Sequence, residues 1–562
     1  MKRYWFIGFS LWIALASYTN AQPIAPLPNP VLPREPDPLP SPETPSPTPD
    51  LSMPTPPIEP ADDIPGTIWV ERFEFEGNTA FSDRQLSEAT QPFIGREISF
   101  AELLQAEATV AQLYTSSGYI NSGAVIPAGQ NLVRTRAIVT IQVIEGGVEE
   151  IQITGTRRLD SDYVRSRLEL VTRVPLNRDR LLEALQLLQL DPLIETISAE
   201  LQAGTLPERS LLVVRVQEAD TWHADVFADN GRSQSVGRFR RGVTLEQGNL
   251  TGLGDRLELT YTNTEGSNQG DLSYTLPLNS ENGTLQLGVS VANTRVVEEP
   301  FDLIDITGNS RIYDLTYRQP VVQTPSQELA LGITLSHSES ETFLLDQPFP
   351  LSPGANAEGE TRVTTLRVFQ EFVQRNARNV FAVRSQFNLG VDWFDATRNE
   401  DAPDSRFLAW RGQAQYVQLL APNTFLLLRS DLQLADNDLV PLEQFGVGGL
   451  SSVRGYRQDA LLTNNGFLVS AELQVPILRV PEVNGVLQIV PFIDAGVGWD
   501  ETTLFPDASS TTLVSTGVGL LWRMDDRLLL RLDYSVPLTD FDADPSTQTD
   551  DKLYFQLNYS AF

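Results

Sequence analysis

Arg527-Leu528-Leu529-Leu530-Arg531-Leu532-Asp533-Tyr534-Ser535-Val536 is the stretch on which the fold class turns. Leu528, Leu530, Leu532 and Tyr534 share one face of an extended chain; Arg527, Arg531 and Asp533 share the other. Side chains alternate with a period of two along a strand, so this reads as a strand with one apolar and one charged side. Lys552–Ala561 behaves alike, with Leu553, Phe555, Leu557 and Tyr559 opposing Lys552, Gln556, Asn558 and Ser560. Arg256–Thr262 and Phe467–Val475 repeat the pattern, and sixteen such segments fit within residues 221–562. Lipid outside and a polar lumen inside would select this pattern. A soluble β-sandwich has the same period, so alternation alone does not separate the two.

Connection lengths help more. Gly248–Gly254, Asn279–Gly283, Gln323–Gln327, Arg375–Arg378, Ala421–Asn423 and Met524–Asp526 are short. The intervening Val296–Asn309, Glu341–Glu360, Asp395–Arg406, Ala435–Gly466 and Gly498–Ser510 are mostly longer. Short turns on one side and long loops on the other are the habit of outer-membrane barrels. An even strand number closes the sheet without an edge, as lipid requires. The expectation is a 16-stranded antiparallel transmembrane β-barrel with both barrel termini on the periplasmic side. Phe562 after an aromatic strand resembles an outer-membrane assembly signal, although it leaves the Leu553–Tyr559 face by one residue.

The 562 residues upstream and within this region carry 41 Lys+Arg against 73 Asp+Glu, a net charge of −32. That balance argues against nucleic acid, whose phosphates demand a basic face. Without cysteine there is no thiolate metal site, thiol nucleophile or disulfide. His223 and His337 are the only histidines and show no ligand spacing. Gly446-x-Gly448-Gly449 lacks the Lys-Ser/Thr ending of a phosphate cradle, so its glycines read as loop bends. No catalytic constellation, metal or cofactor is expected.

Residues 1–21 read as a signal peptide, with Lys2 and Arg3 before the apolar Tyr4–Ala16 and cleavage after Ala21. Residues 22–66 hold 17 of the chain's 38 prolines and read as a polyproline or unstructured spacer. Residues 67–147 and 148–220 read as two small α/β units of strand, helix, helix, strand, strand. Ser82 and Ser99 are helix N-cap candidates in the first. A repeated supersecondary unit indicates an array of modules rather than one enzyme core.

Phe73-x-Phe75-x-Gly77-Asn78-Thr79-x-Phe81, Gly118-Tyr119-Ile120 and Val143-Ile144-Glu145-Gly146 resemble a POTRA domain of two-partner-secretion translocators. That family is the haemolysin secretion/activation group typified by ShlB, FhaC and HecB. Pro127 and Gln130 resemble its Pro/Gln element. Asp229-Asn230-Gly231, Gly252-x-Gly254-Asp255, Val453-Arg454-Gly455-Tyr456 and Phe492-Ile493-Asp494-Ala495-Gly496 resemble its barrel motifs, the last two a lumen loop and the wall it meets. Gly517-x-Gly519 and Tyr534-x-x-Pro537 continue the series.

Alternation places Asp494 and Gln488 in the lumen, opposite Leu487, Ile489 and Ile493. Taken alone, Arg454 and Asp494 are either two unrelated solvated charges or a pair. The resemblance implies the pair, in which the guanidinium forks onto the carboxylate with two parallel hydrogen bonds that lysine could not make. A wet lumen would put the loss on breaking it near roughly 1.5 kcal/mol, with Arg454→Ala and Asp494→Ala alike. The resemblance further implies a pore that takes an unfolded exoprotein with an N-terminal secretion domain across the outer membrane. Its other partners would be outer-membrane lipid and the barrel-assembly machinery during biogenesis, with the pore itself a monomer. Cargo would add as a strand to a POTRA sheet edge. The candidate edges are Ser122-Gly123-Ala124-Val125-Ile126 and Ile194-Glu195-Thr196-Ile197-Ser198. The alternative is an outer-membrane assembly factor like BamA, which has more POTRA units. The family's N-terminal plug helix has no evident counterpart.

Overall fold

A computed structural model describes residues 50–52, 66–130, 136–206, 208–400, 403–500, 510–525, 527–540 and 552–561. The signal-peptide segment, most of the Pro-rich segment and Phe562 lie outside the described residues.

In chain order the α/β region contains β1 (Asp50–Ser52), β2 (Thr67–Glu76), α1 (Asp83–Thr90), β3 (Arg96–Ser99), α2 (Phe100–Ser116), β4 (Gly123–Val125) and β5 (Ala137–Ile144). It continues with β6 (Gly147–Thr154), α3 (Ser161–Glu169), α4 (Arg178–Gln189), β7 (Ile194–Ala203) and β8 (Arg209–Glu218). The first sheet runs β3-β2-β5-β4 and the second β1-β7-β8-β6. Ser82 with Gln85, and Ser99 with Glu102, form reciprocal capping boxes that satisfy the first free amides of α1 and α2. Leu86, Val110 and Tyr114 of these helices pack on Phe73, Val139 and Ile141 of the sheet. Strand β3 was not anticipated: four residues with one inward side chain, Ile98, are too few to show alternation.

The second departure is β1. It pairs in parallel with β7, Asp50 opposite Ser198 through Ser52 opposite Glu200. Proline blocks a ladder because it has no amide, but Pro49 and Pro54 bracket four residues that keep theirs. A three-residue strand therefore interrupts a segment whose proline content reads as a spacer.

The two units share one piece of local chemistry. Glu145, at the end of β5, accepts the amides of Thr79 (2.6 Å) and Ala80 (2.8 Å) and the Tyr114 hydroxyl (2.9 Å). Glu218, at the end of β8, accepts the amides of Arg157 (2.6 Å), Arg158 (2.9 Å) and Leu159 (2.9 Å). Each carboxylate fixes the turn that leads from the first strand of its unit to the first helix. The units are also bolted together. Leu176 N–H donates to Gly146 (2.8 Å), Arg178 N–H to Gly118 (2.8 Å), and Ile120 packs against the core of the second unit.

The barrel ring contains seventeen strands, of which Gln347–Pro348 is a two-residue flap; sixteen close the cylinder from Trp222–Asp229 to Leu553–Ser560. All neighbours are antiparallel, and first and last strands meet over the pairs Asp229–Gln556 to Asp225–Ser560. Leu530, Leu532 and Tyr534 face outward while Asp533 is buried inside, as the alternation predicts. The second α/β unit seats on the barrel turns. Asp160 N–H donates to Gly252 (2.9 Å), and Arg167 reaches Asn282 (2.8 Å) with its guanidinium 3.5 Å above the Tyr163 ring. Any side chain at Gly254, φ +83°, would enter that ring.

Burial raises the Glu145 carboxyl, but the hydrogen bonds from Thr79, Ala80 and Tyr114 outweigh it and hold the group below its ordinary 4.5. Glu218 is lowered in the same way by Arg157, Leu159 and Arg158. A depressed carboxyl stabilises the fold above its ordinary value, and that contribution disappears as pH falls through the folded value. The urea midpoint of the α/β region should therefore drop as the solution is taken below about pH 4.5. Glu145→Gln and Glu218→Gln should lower the neutral-pH midpoint and flatten this slope; an unchanged slope in both variants would refute the assignment.

Candidate functional site in the barrel lumen

The longest connection joins strands Thr424–Ala435 and Asn465–Val480 and folds back inside the cylinder. It narrows through a hairpin pairing Phe445–Val447 with Leu461–Thr463. Gly448 and Gly449, at φ +116° and +94°, turn the chain there, and Gly455 turns it again at +96°. Val453 is fully buried among Phe445, Val447, Leu461 and Leu513. The wall makes room for it at Gly496, where a Cβ would stand 2.5 Å from Val447 and 2.9 Å from Val453.

This folding delivers Arg454 to the wall. Its Nε donates to Asp494 Oδ2 at 2.7 Å and its Nη2 to Asp494 Oδ1 at 2.9 Å, the two-bond fork. Nη1 lies 3.0 Å from Asp533 and 2.9 Å from Glu472. The Phe492 ring lies 3.4 Å from the guanidinium carbon, a cation–π contact. Arg531 binds both Glu472 (2.9 Å) and Asp533 (2.8 Å), Arg429 reaches Glu472 (3.3 Å), and the Ser470 hydroxyl donates to Asp494 (2.6 Å). Gly455 N–H donates to the Tyr554 hydroxyl (2.9 Å), which donates to Tyr456 C=O (3.0 Å). The Tyr456 hydroxyl lies 2.8 Å from both the Val514 and Thr539 carbonyls.

The structure thus gathers Val453, Arg454, Gly455, Tyr456, Phe492, Asp494 and Gly496 in one place. It also shows what surrounds them. Arg454 is 2 % exposed and Asp494 0 %, so the pair is buried, beside a cavity of about 200 Å³ that Arg454, Arg531 and Asp533 line. Nor is the pair isolated, since Glu472, Asp533, Arg531, Ser470 and Tyr554 complete it. Each of these has the lumen-facing phase in its strand, but phase does not say which strands a loop will touch.

The candidate cargo edges are less open than the sequence suggests. Only Gly123–Val125 of the first forms a strand, against Ile144–Gln142. Ser122 N–H donates to Tyr119 C=O (3.2 Å) and Ile126 N–H to Glu107 (3.1 Å), so neither offers a free ladder amide. Beyond Val125 the side chain of Gln130 stands in for a strand, making both ladder bonds to Thr140 at 2.8 Å. On the second edge, Gln189 does the same for Glu195 C=O (2.9 Å) and Ile197 N–H (3.1 Å). Ile194 and Ile197 belong to the core, Thr196 lies 3.4 Å from Gln217, and Ser198 pairs with β1. His223 and His337 sit on separate strands, His337 bonded to Thr364 (2.9 Å).

Removing one partner of a buried ion pair costs about 3–5 kcal/mol. Arg454→Ala leaves Asp494 with the Ser470 hydroxyl and the residue-454 amide (3.3 Å) but no cation, whereas Asp494→Ala leaves Arg454 its contacts to Glu472 and Asp533. Arg454→Ala should therefore loosen the loop more, Arg454→Lys should not restore the fork, and the double variant should match Arg454→Ala. Single-channel conductance and spin-label distances from Ser451 to the wall check this; equal and additive single effects would refute it.

Two family comparisons match the chain. Haemolysin secretion/activation protein ShlB/FhaC/HecB matches residues 208–521, and the ShlB-type POTRA domain matches residues 68–146. The heme/hemopexin transporter protein HuxB of Haemophilus influenzae (strain 86-028NP) is 21% identical, covering 84% of this chain and 83% of its own. The outer membrane transporter CdiB of Escherichia coli O6:K15:H31 (strain 536 / UPEC) is 22% identical over 80% and 76%. Among solved structures, CdiB from Escherichia coli superposes with a TM-score of 0.70 at 19% identity, covering 90% and 92%. BamA from Haemophilus ducreyi lacking POTRA domains 1-3 gives 0.52 at 15%, covering 88% and 100%, and shares the fold. With the matched residues spanning more than half of its length, the chain belongs to the ShlB/FhaC/HecB haemolysin secretion/activation family.

Proposed function

We propose that this outer-membrane translocator receives an unfolded exoprotein on the edges of its periplasmic α/β units and passes it through the lumen as the Arg454 loop moves aside. Residues 67–147 and 148–220 serve as the two POTRA domains and 221–562 as the pore. The observation that carries the reading is the loop itself, which occupies the lumen and is locked by a buried, two-bond fork. A passive diffusion pore has no use for two α/β units bolted to each other and seated on its turns. No phosphate cradle is evident in the sequence, so folding of the cargo outside drives the transfer.

The glutamine contacts refine where cargo binds. An unpaired strand edge invites adventitious pairing, and side chains that cover it are a known defence. Gln189 and β1 cover β7, so an incoming strand replaces bonds already made instead of filling bare amides. That keeps the edge from capturing arbitrary extended chains while an extended segment of matching length can still exchange in.

Deleting residues 67–147 should leave a heat-modifiable, inserted barrel that no longer secretes its cargo; normal secretion would overturn the proposal. Gln189→Ala removes a competitor worth about 1 kcal/mol and should tighten cargo binding about fivefold. Weaker or unchanged binding, measured by titration of the full-length protein, would show that cargo does not use β7.

A further inference from the structure

The lumen loop is held at a second point, far from its tip. Glu443 lies in the short turn Pro441–Glu443 at the start of the loop, and Arg367 in the wall strand Glu360–Arg375. Arg367 Nη2 donates to Glu443 Oε1 at 2.6 Å and Nη1 to Oε2 at 3.0 Å. This is again a two-bond fork, with side chains only 6 % and 7 % exposed. Leu439, Val440 and Leu442, just before Glu443 in the chain, belong to a buried apolar cluster with Val363 and Phe407. The fork's polarity is reversed: at the tip the loop supplies the cation, and here it supplies the anion. The two anchor strands are separated in the ring by four others.

The two forks differ in what is left behind when they open. At the tip, Arg531 already binds Glu472 and Asp533, so when Arg454 departs only Asp494 loses its cation, and it keeps the Ser470 hydroxyl beside the lumen cavity. At the base, Arg367 would keep only Asn388 (3.3 Å), and its Nε has no acceptor even with the fork closed. A buried guanidinium without a carboxylate is strongly disfavoured. The tip is therefore the fork that opens and the base the one that persists.

We propose that Arg367 and Glu443 form the fulcrum of the gate: the loop swings about this clamp and never leaves the lumen as a free strap. Arg367 and Glu443 act as positioning residues, through the loop rather than on the cargo. The inference rests on the loop being the gate, but its test needs no cargo, so a failure of secretion and a failure of the fulcrum are read separately.

The test uses the full chain in planar lipid bilayers, with folded barrels selected by heat-modifiability. Arg454→Ala alone should give brief openings that close again, because the clamp returns the loop. Adding Glu443→Gln should lengthen the open dwell about tenfold or more, the worth of a charge-assisted fork. The exchange Arg367→Glu with Glu443→Arg, placed on the Arg454→Ala background, should restore the brief openings. If Glu443→Gln leaves the Arg454→Ala trace unchanged, or if the exchange behaves like Glu443→Gln alone, the fulcrum is wrong.

Discussion

A charge removed from water must be paired where it lands, and the lumen is organised around that requirement at Arg454. The loop residue is useful as a lock only because the wall supplies Asp494, Glu472 and Asp533 within 3.0 Å. Those carboxylates could not crowd together in a buried site without Arg531 and Arg429 beside them. Small residues follow from the same need. A Cβ at Gly517 would stand 2.3 Å from the Phe492 ring that lies against the guanidinium, and one at Gly519 would stand 2.1 Å from Asp533. The wall motif, the loop motif and the glycines of the neighbouring strand are parts of one packing and charge problem.

The α/β region answers a different constraint, that of unpaired backbone. Two four-stranded sheets expose edges in a compartment through which unfolded chains pass. Gln130 and Gln189 place an amide where a neighbouring strand's peptide would stand, one donor and one acceptor each. Such a cap is worth little net and is easily exchanged, unlike a strand of many paired residues. The three-residue β1 lies within the four residues that keep their amides between Pro49 and Pro54.

Much of this was legible beforehand because it has a period. Sixteen strands, their in–out phase at Leu528–Val536 and the lumen position of Asp494 follow from alternation and turn lengths. The pairing of Arg454 with Asp494 did not; alternation left it open and the family resemblance supplied it. What stayed hidden lacks any local signal. Strand β3 is too short for a pattern, β1 sits in a segment whose composition argues against strands, and Glu443 is one acid among many in outer loops. The burial of the lock was hidden too, because it depends on how the loop residues Val453 and Tyr456 and the wall residue Phe492 pack in three dimensions.

The charge count of the lock explains why a plug can be both tight and removable. With the loop in place, Arg429, Arg454 and Arg531 balance Glu472, Asp494 and Asp533. When Arg454 leaves, one negative charge is uncompensated, and it falls mainly on Asp494, which retains the Ser470 hydroxyl and gains water as the loop withdraws. Rehydration offsets much of the lost Coulomb energy, since attraction at a given distance is weaker in a wet site but so is the cost of solitude. The barrier to opening is then the interval before water enters, when the fork is broken and the pocket still dry. In the proposed mechanism a cargo segment pushing past Tyr456 would admit solvent as it comes, so a chain in transit would lower that barrier by wetting the lock rather than by offering a matching charge.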